Sequence, residues 1–188
     1  MLGVLAFGYH IASRLAYVIG VGVALRRQEQ HQVFTKQCDA EAGYRRFRRL
    51  AATLMNNDAV SFFIMCVLTH HTIQFPLPHV FVVLGVIFGL AGIAIKRWAA
   101  VSLERGSFFW RNFFVPQDYE NYSPRGPYRY MKNPMYTIGY IHMYGWALAN
   151  ASVFGLIAAV FDQAAMLLFY YFVEKPHYEQ LSNATAGV

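Results

Sequence analysis

Five apolar runs alternate with polar segments along the chain. A helix that crosses a bilayer needs about 20 residues, and each run reaches or approaches that length. The runs are Leu2–Leu25, Leu50–His70, His79–Ile95, Pro134–Asn150 and Phe154–Val173. This pattern predicts an all-α integral membrane bundle of about five transmembrane helices.

The composition supports a membrane location. Of the 188 residues, 56% are hydrophobic and only 14% are charged, which is too little charge for the surface of an ordinary soluble domain. Collagen, disordered chains, coiled coils and disulfide-stapled modules are excluded by the same numbers. We expect one membrane domain over 1–188. Residues 1–95 would supply three spans and a basic loop, and residues 96–188 a polar loop, a helical hairpin and a tail.

The positive charges are concentrated between the apolar runs. Fourteen of the sixteen lysines and arginines fall within Arg26–Arg49 and Lys96–Lys132. Cytoplasmic loops of membrane proteins carry this excess, so both segments are predicted inside, with the N-terminus outside and the C-terminus inside. A nucleic-acid-binding protein would instead carry its cations as a stripe on a folded surface. The pattern fits the bacterial inner membrane and the endoplasmic reticulum equally.

The polar segment Ser123–Tyr136 is the most distinctive in the chain. Asn133 followed by Pro134 predicts a helix start, because asparagine caps helices and proline is tolerated at the first helical position. The positive end of that helix, beside Arg129 and Lys132, is suited to binding a small carboxylate. The alternative is that these cations and tyrosines only anchor the protein at lipid headgroups.

Residues 126–136 read GPYRYMKNPMY, which resembles the GPYRYVRHPMY signature of the isoprenylcysteine carboxyl methyltransferase and phospholipid methyltransferase superfamily. Gly145-Trp146-Ala147 and Glu174-Lys175-Pro176-His177 are more similar to phosphatidylethanolamine N-methyltransferases. The resemblance implies an enzyme that transfers a methyl group from S-adenosylmethionine to a membrane-resident acceptor, here the amine of a phospholipid headgroup. Partners would be the phospholipid and the bilayer.

The resemblance also implies which residues contact the cofactor. The pocket would be formed by the loop before the signature, the signature and the start of the tail, facing the cytoplasm. The candidates are Gly106, Tyr122, Tyr128, Arg129, Asn133, Pro134, Met135, Tyr136, Gly139, Glu174 and His177. The chain departs from the family at Gly106, which replaces a glycine pair, and at Lys175, which replaces a second glutamate.

Three ionisable residues are candidates for catalysis: Glu174, Asp58 and His142. Ionisable groups inside a membrane segment indicate a functional site, and the alternative is a polar pair that joins helices. Glu174 is expected where Pro176 ends the last helix. Asp162 is expected to pair with His142 or Asn150.

Other interpretations stay open at this point. An isoprenylcysteine or other isoprenoid acceptor is possible, although Tyr170 stands where the carboxyl methyltransferases carry arginine. A non-catalytic membrane scaffold of the same fold is the second alternative. His70, His71 and His79 lack the carboxylate or cysteine that usually completes a metal site, so no metal is predicted. The sequence does not specify an oligomeric state.

Overall fold

The computed structural model describes residues 1–103, 107–115 and 125–186. These residues form six α-helices: α1 (Leu2–His31), α2 (Ala40–Leu68), α3 (Pro78–Ser102), α4 (Ile141–Ala149), α5 (Val153–Phe169) and α6 (Lys175–Ala186). Short 3-10 turns cover Ser107–Phe109, Arg111–Phe113, Gly126–Arg129 and Ile138–Tyr140, and a π-helical turn covers Tyr170–Glu174. The described residues contain no strand, and the all-α prediction is confirmed.

The helices run back and forth between two ends of a bundle. At one end, which we call the basic end, the α1–α2 connection (32–39) lies near the contact between Glu29 and His177 of α6. At the opposite end, the hydroxyls of Thr69 and Ser152 are 2.6 Å apart and join the α2–α3 and α4–α5 turns. The tail and the basic loop therefore share one end.

Four helical stretches have the length and apolar composition needed to cross a bilayer: Leu2–His31, Ala40–Leu68, Pro78–Ser102 and Val153–Leu181. The chain is therefore a multi-pass membrane protein. The predicted run Pro134–Asn150 also returns to the opposite end, but only its second half is an α-helix. This helix, α4, has nine residues and is about 14 Å long.

Helices α3 and α4 pack with their backbones in direct contact. A Cβ built on Gly92 would lie 2.4 Å from the backbone nitrogen of His142, and one built on Gly145 would lie 2.4 Å from that of Gly89. Small residues permit this approach, which van der Waals contact stabilises where no water is available to drive packing. The glycines thus fix α4 on α3.

The last long helix continues through Pro176 instead of ending there, so the expectation that this proline terminates it is wrong. Proline cannot donate to the carbonyl four residues earlier, which belongs to Phe172, and its ring would clash with that carbonyl. The π-helical turn Tyr170–Glu174 widens the backbone just before Pro176. The Phe172 carbonyl instead accepts a hydrogen bond of 2.9 Å from Arg26 Nη2.

A buried ion network joins α1, α2 and α5 inside the bundle. Arg14 Nη2 lies 2.7 Å from Asp58 Oδ2 and 3.0 Å from Asp162 Oδ2, and Arg14 Nε lies 2.9 Å from Asp162 Oδ1. His10 bridges Asp162 Oδ2 at 3.1 Å and the Ser61 hydroxyl at 2.8 Å. The charged side chains are almost fully buried, so each depends on its partners for stabilisation.

This network corrects the expected partner of Asp162. The predicted pairing with His142 or Asn150 is wrong, because Asp162 faces α1 and binds Arg14 and His10. In the sequence, His10 and Arg14 only interrupt the apolar run Leu2–Leu25 and show no sign of a distant partner. They are the groups that neutralise and hydrogen-bond the buried carboxylate.

We expect Gly92→Ala to destabilise the bundle, because the new methyl group would collide with the α4 backbone. Overpacking of this kind costs about 1–3 kcal/mol. Gly89→Ala on the same helix is the matched control, since its Cβ would meet nothing within 4 Å. Detergent-titration unfolding should give a lower midpoint for Gly92→Ala only. Equal midpoints for the two variants would contradict the close contact of α3 with α4.

We expect Arg14→Met to destabilise the protein by about 3–5 kcal/mol, because two buried carboxylates would lose their cation. The triple variant Arg14→Met, Asp58→Asn, Asp162→Asn removes the stranded charges and should regain most of that loss. The free energy of unfolding in mixed micelles measures both. If the triple variant were no more stable than Arg14→Met, the loss of stability would not come from the unpaired carboxylates.

Candidate active site

The end of the signature, from Asn133 onwards, folds into a turn and not into the start of a helix. The Asn133 carbonyl accepts hydrogen bonds from the backbone of Tyr136 (3.2 Å) and Thr137 (3.1 Å), and the Pro134 carbonyl accepts one from Gly139 (2.8 Å). Thr137, at φ −101° and ψ −98°, leaves the helical region and ends the turn. The predicted helix start at Asn133-Pro134 is therefore wrong, since α4 begins at Ile141.

Gln163 of α5 stabilises this irregular backbone. Its Nε2 donates to the carbonyls of Tyr136 and Thr137, both at 3.2 Å, and its Oε1 accepts a 2.8 Å hydrogen bond from the Tyr144 hydroxyl. Non-helical backbone is tolerated at membrane depth only where protein groups satisfy it or where it lines a cavity. Gln163 provides part of that satisfaction, and sequence reasoning did not find it.

The buried carboxylate of Glu174 joins the tail to the signature. Its Oε1 accepts hydrogen bonds from the Tyr136 hydroxyl at 2.7 Å and from the Trp110 indole Nε1 at 2.5 Å. Tyr136 lies outside the four long spans, and burial, reinforced by the Glu174 carboxylate, raises the pKa of its hydroxyl well above the ordinary value. The hydroxyl therefore stays protonated and donates. This hydrogen bond brings the end of the signature into contact with the tail, while the cofactor pocket stays a prediction.

Trp110 is the residue of this cluster that sequence reasoning missed. It lies in the aromatic segment 107–115 and is buried beside Phe47 of α2 and Phe169 of α5, at ring-centroid distances of 6.2 Å and 5.4 Å. The signal was available, because a buried indole N–H needs an acceptor and buried carboxylates are few in this chain.

His177 lies one turn beyond Glu174 and faces the basic end. Its ring stacks on Phe113 at 3.6 Å, and its Nδ1 lies 2.7 Å from Glu29 Oε1. Its Nε2 is buried and, within the described residues, has no hydrogen-bond partner; the same holds for Asn112 Oδ1 on the neighbouring segment. The tail and segment 107–115 thus each contribute one buried polar atom that has no hydrogen-bond partner among the described residues.

Asp58 and His142 lie away from the Glu174 hydrogen bonds. Asp58 Oδ2 is ion-paired with Arg14, whereas its Oδ1 is buried without a hydrogen-bond partner among the described residues. His142 Nδ1 lies 2.7 Å from the Gly139 carbonyl, which can only accept, so Nδ1 carries the proton. In the neutral ring Nε2 then holds a lone pair that can take up a proton.

The remaining predicted residues differ in exposure. Pro134 and Gly139 are buried, Tyr128, Asn133 and Met135 are partly buried, and Arg129 is exposed. The turn Gly126–Arg129 packs near the end of α3. Gly106 and Tyr122, together with the loop before the signature, lie outside the described residues.

Comparison with known proteins shows which family the sequence resembles. The sequence model of the phospholipid methyltransferase family matches residues 80–183, which include the signature, α4, α5 and Glu174. No solved structure matches the chain significantly.

Curated relatives carry the name phosphatidylethanolamine N-methyltransferase. The Komagataella phaffii protein is 26% identical over 89% of this chain and 23% of its own length. The Podospora anserina protein is 30% identical over 89% of this chain and 18% of its own length. This chain therefore spans about a fifth of the length of the relatives it matches. Because the family match covers more than half of the residues, the chain belongs to the phospholipid methyltransferase family.

Proposed function

We propose that the protein is an S-adenosylmethionine-dependent enzyme that methylates the amine of phosphatidylethanolamine in the direction of phosphatidylcholine. The observation that carries this proposal is the Glu174 carboxylate, buried at the junction of tail, signature and segment 107–115. A family of phospholipid methyltransferases and relatives named for this reaction support it. The partners are the phospholipid and the surrounding bilayer.

The residues present fit the methyl donor. When bound, S-adenosylmethionine supplies a methyl group on a sulfonium, which a neutral amine accepts. A carboxylate such as Glu174 suits its ammonium or ribose hydroxyls, and tyrosine faces suit adenine or the sulfonium. The buried Nε2 of His177, which has no partner in the part of the chain that the structure describes, can hydrogen-bond a polar ligand. The proposed set is Gly106, Tyr122, Tyr128, Arg129, Asn133, Pro134, Met135, Tyr136, Gly139, Glu174 and His177.

The three catalytic candidates receive different roles. Glu174 Oε1 already accepts two hydrogen bonds, which stabilise the charged form and suit it to holding a ligand. Asp58 offers Oδ1, a buried carboxylate oxygen, to the cationic headgroup. His142, whose Nε2 holds the lone pair of the neutral ring, is the group proposed to accept the proton that the amine must lose.

We propose that the site opens towards the cytoplasm. The Glu174 cluster lies at the basic end, with the α1–α2 connection and α6. Loops rich in lysine and arginine mark the cytoplasmic side of membrane proteins. A water-soluble methyl donor would enter there, while the lipid would arrive from the bilayer.

Methylation of phosphatidylethanolamine is the direct test. Purified protein in phosphatidylethanolamine vesicles with isotopically labelled S-adenosylmethionine should yield labelled N-methylated lipid by mass spectrometry. Glu174→Gln should weaken S-adenosylhomocysteine binding at least about tenfold, the size expected for a charged hydrogen bond. Glu179→Gln, an exposed glutamate on α6, is the matched control and should bind normally.

The outcomes separate the alternatives. If the label appeared on an isoprenylcysteine and not on phospholipid, the methyl acceptor would be the isoprenylcysteine. A wild-type protein that binds no S-adenosylhomocysteine would be a scaffold. Unchanged affinity in Glu174→Gln would remove Glu174 from the cofactor site.

Asp58→Asn should lower turnover more than cofactor affinity. The amide retains an oxygen for Arg14 but loses the negative charge that the headgroup ammonium would meet. We expect kcat for phosphatidylethanolamine to fall about tenfold or more, with S-adenosylhomocysteine affinity unchanged. Ser61→Ala alters the same helix without removing charge and serves as the control. Normal turnover in Asp58→Asn would mean that Asp58 only joins helices and does not act on the substrate.

A further inference from the structure

Lys96 is an inward-directed cation whose side chain lies against Gly139, three residues after the signature. A Cβ built on Gly139 would lie 3.0 Å from Lys96 Cγ, so the lysine stem lies where any larger residue would intrude. The ammonium Nζ lies 4.8 Å from the centroid of the Tyr140 ring. The next residue, Arg97, is exposed. Lys96 therefore faces the bundle, whereas its neighbour faces outwards.

The Lys96 charge has no direct counter-ion in the described structure. No carboxylate there lies within 4 Å of its Nζ, in contrast to Arg14, which contacts two. A tyrosine face stabilises a cation by only about 0.5–2 kcal/mol. An ionisable group held inside a membrane segment in this way indicates a binding role.

The Lys96 cation is separated from the carboxylates of Asp58 and Asp162. Lys96 interacts electrostatically with Asp58, Asp162 and Arg14, but is not in contact with either carboxylate. Among the described residues, Asp58 Oδ1 and Asp162 Oδ1 are buried carboxylate oxygens without a hydrogen bond. Asp162 Oδ1 lies 2.9 Å from Arg14 Nε, whereas the Arg14 contact of Asp58 is made through its Oδ2. Two cations and two carboxylates sum to zero charge, so a ligand that is itself a zwitterion adds no net charge to the interior.

We propose that Lys96 binds the phosphodiester of a zwitterionic phospholipid headgroup, while Asp58 binds its ammonium. This inference rests on the proposed function and adds to it the basis of lipid selection. A lysine ammonium pairs well with phosphate oxygen through charge-assisted hydrogen bonds. The arrangement selects an amine that carries a phosphate over an amine without one.

Lipid binding can be measured apart from catalysis. Purified wild type, Lys96→Met, Lys96→Arg and Arg97→Met are exchanged into micelles containing phosphatidylethanolamine, phosphatidic acid or diacylglycerol. Bound lipid is then quantified by native mass spectrometry. Lys96→Met should bind the two phosphate-bearing lipids about tenfold more weakly, with diacylglycerol unaffected. Lys96→Arg and Arg97→Met should resemble wild type. In the methylation assay, Lys96→Met should raise KM for phosphatidylethanolamine more than it lowers kcat.

Two further measurements, a folding control and a competition with inorganic phosphate, complete the test. Melting temperature and S-adenosylhomocysteine affinity report folding, and Lys96→Gln replaces Lys96→Met if the latter does not fold. Inorganic phosphate should not displace bound phosphatidylethanolamine; displacement would identify a free-phosphate site and overturn the lipid assignment. Phospholipid binding equal in Lys96→Met and Arg97→Met would also overturn it. Failure of the wild type to methylate lipid, with Lys96-dependent binding intact, would refute only the proposed reaction.

Discussion

The double hydrogen bond to Glu174 Oε1 is the interaction on which the candidate site depends. A carboxylate removed from water is costly unless donors meet it, and here the donors come from two other segments. Trp110 brings segment 107–115 and Tyr136 brings the signature. Because all three pieces are needed to satisfy one buried charge, tail, signature and aromatic segment are stable in place only together.

The second constraint is the placement of charge within the bundle. Arg14, Asp58 and Asp162 tie α1, α2 and α5 together by direct contact, and Lys96 on α3 adds its charge at longer range. Buried ion pairs are weak contributors to stability, because the cost of desolvation offsets much of the attraction. A network of this kind therefore does not by itself account for the stability of the bundle. The proposed zwitterionic headgroup would place its phosphate against Lys96 and its ammonium against Asp58.

The positions of the helices could be predicted from the sequence, whereas most of the contacts between them could not. Apolar runs located α1, α2 and α3, although α2 begins at Ala40, ten residues before its apolar run. Asp39 caps it there by accepting a hydrogen bond from Ala42. The pairing of Arg14 with Asp162 spans 148 residues and leaves no local pattern. Family resemblance placed Glu174 beside the signature. The pair Asn133-Pro134 predicted a helix start from its capping pattern, and a turn ending at Thr137 stands there instead.

The π-helical turn at Tyr170–Glu174 sets the rotational register of everything beyond it. An α-helix advances about 100° per residue, so a chain shorter by one residue here would swing Glu174 and His177 around the helix axis. Trp110 and Tyr136 would then face a different side chain, and Glu29 would lose its histidine. Asp162 contacts the interior ion network, and Glu174 contacts the signature. The number of residues between them is accordingly as important to the site as the two residues themselves.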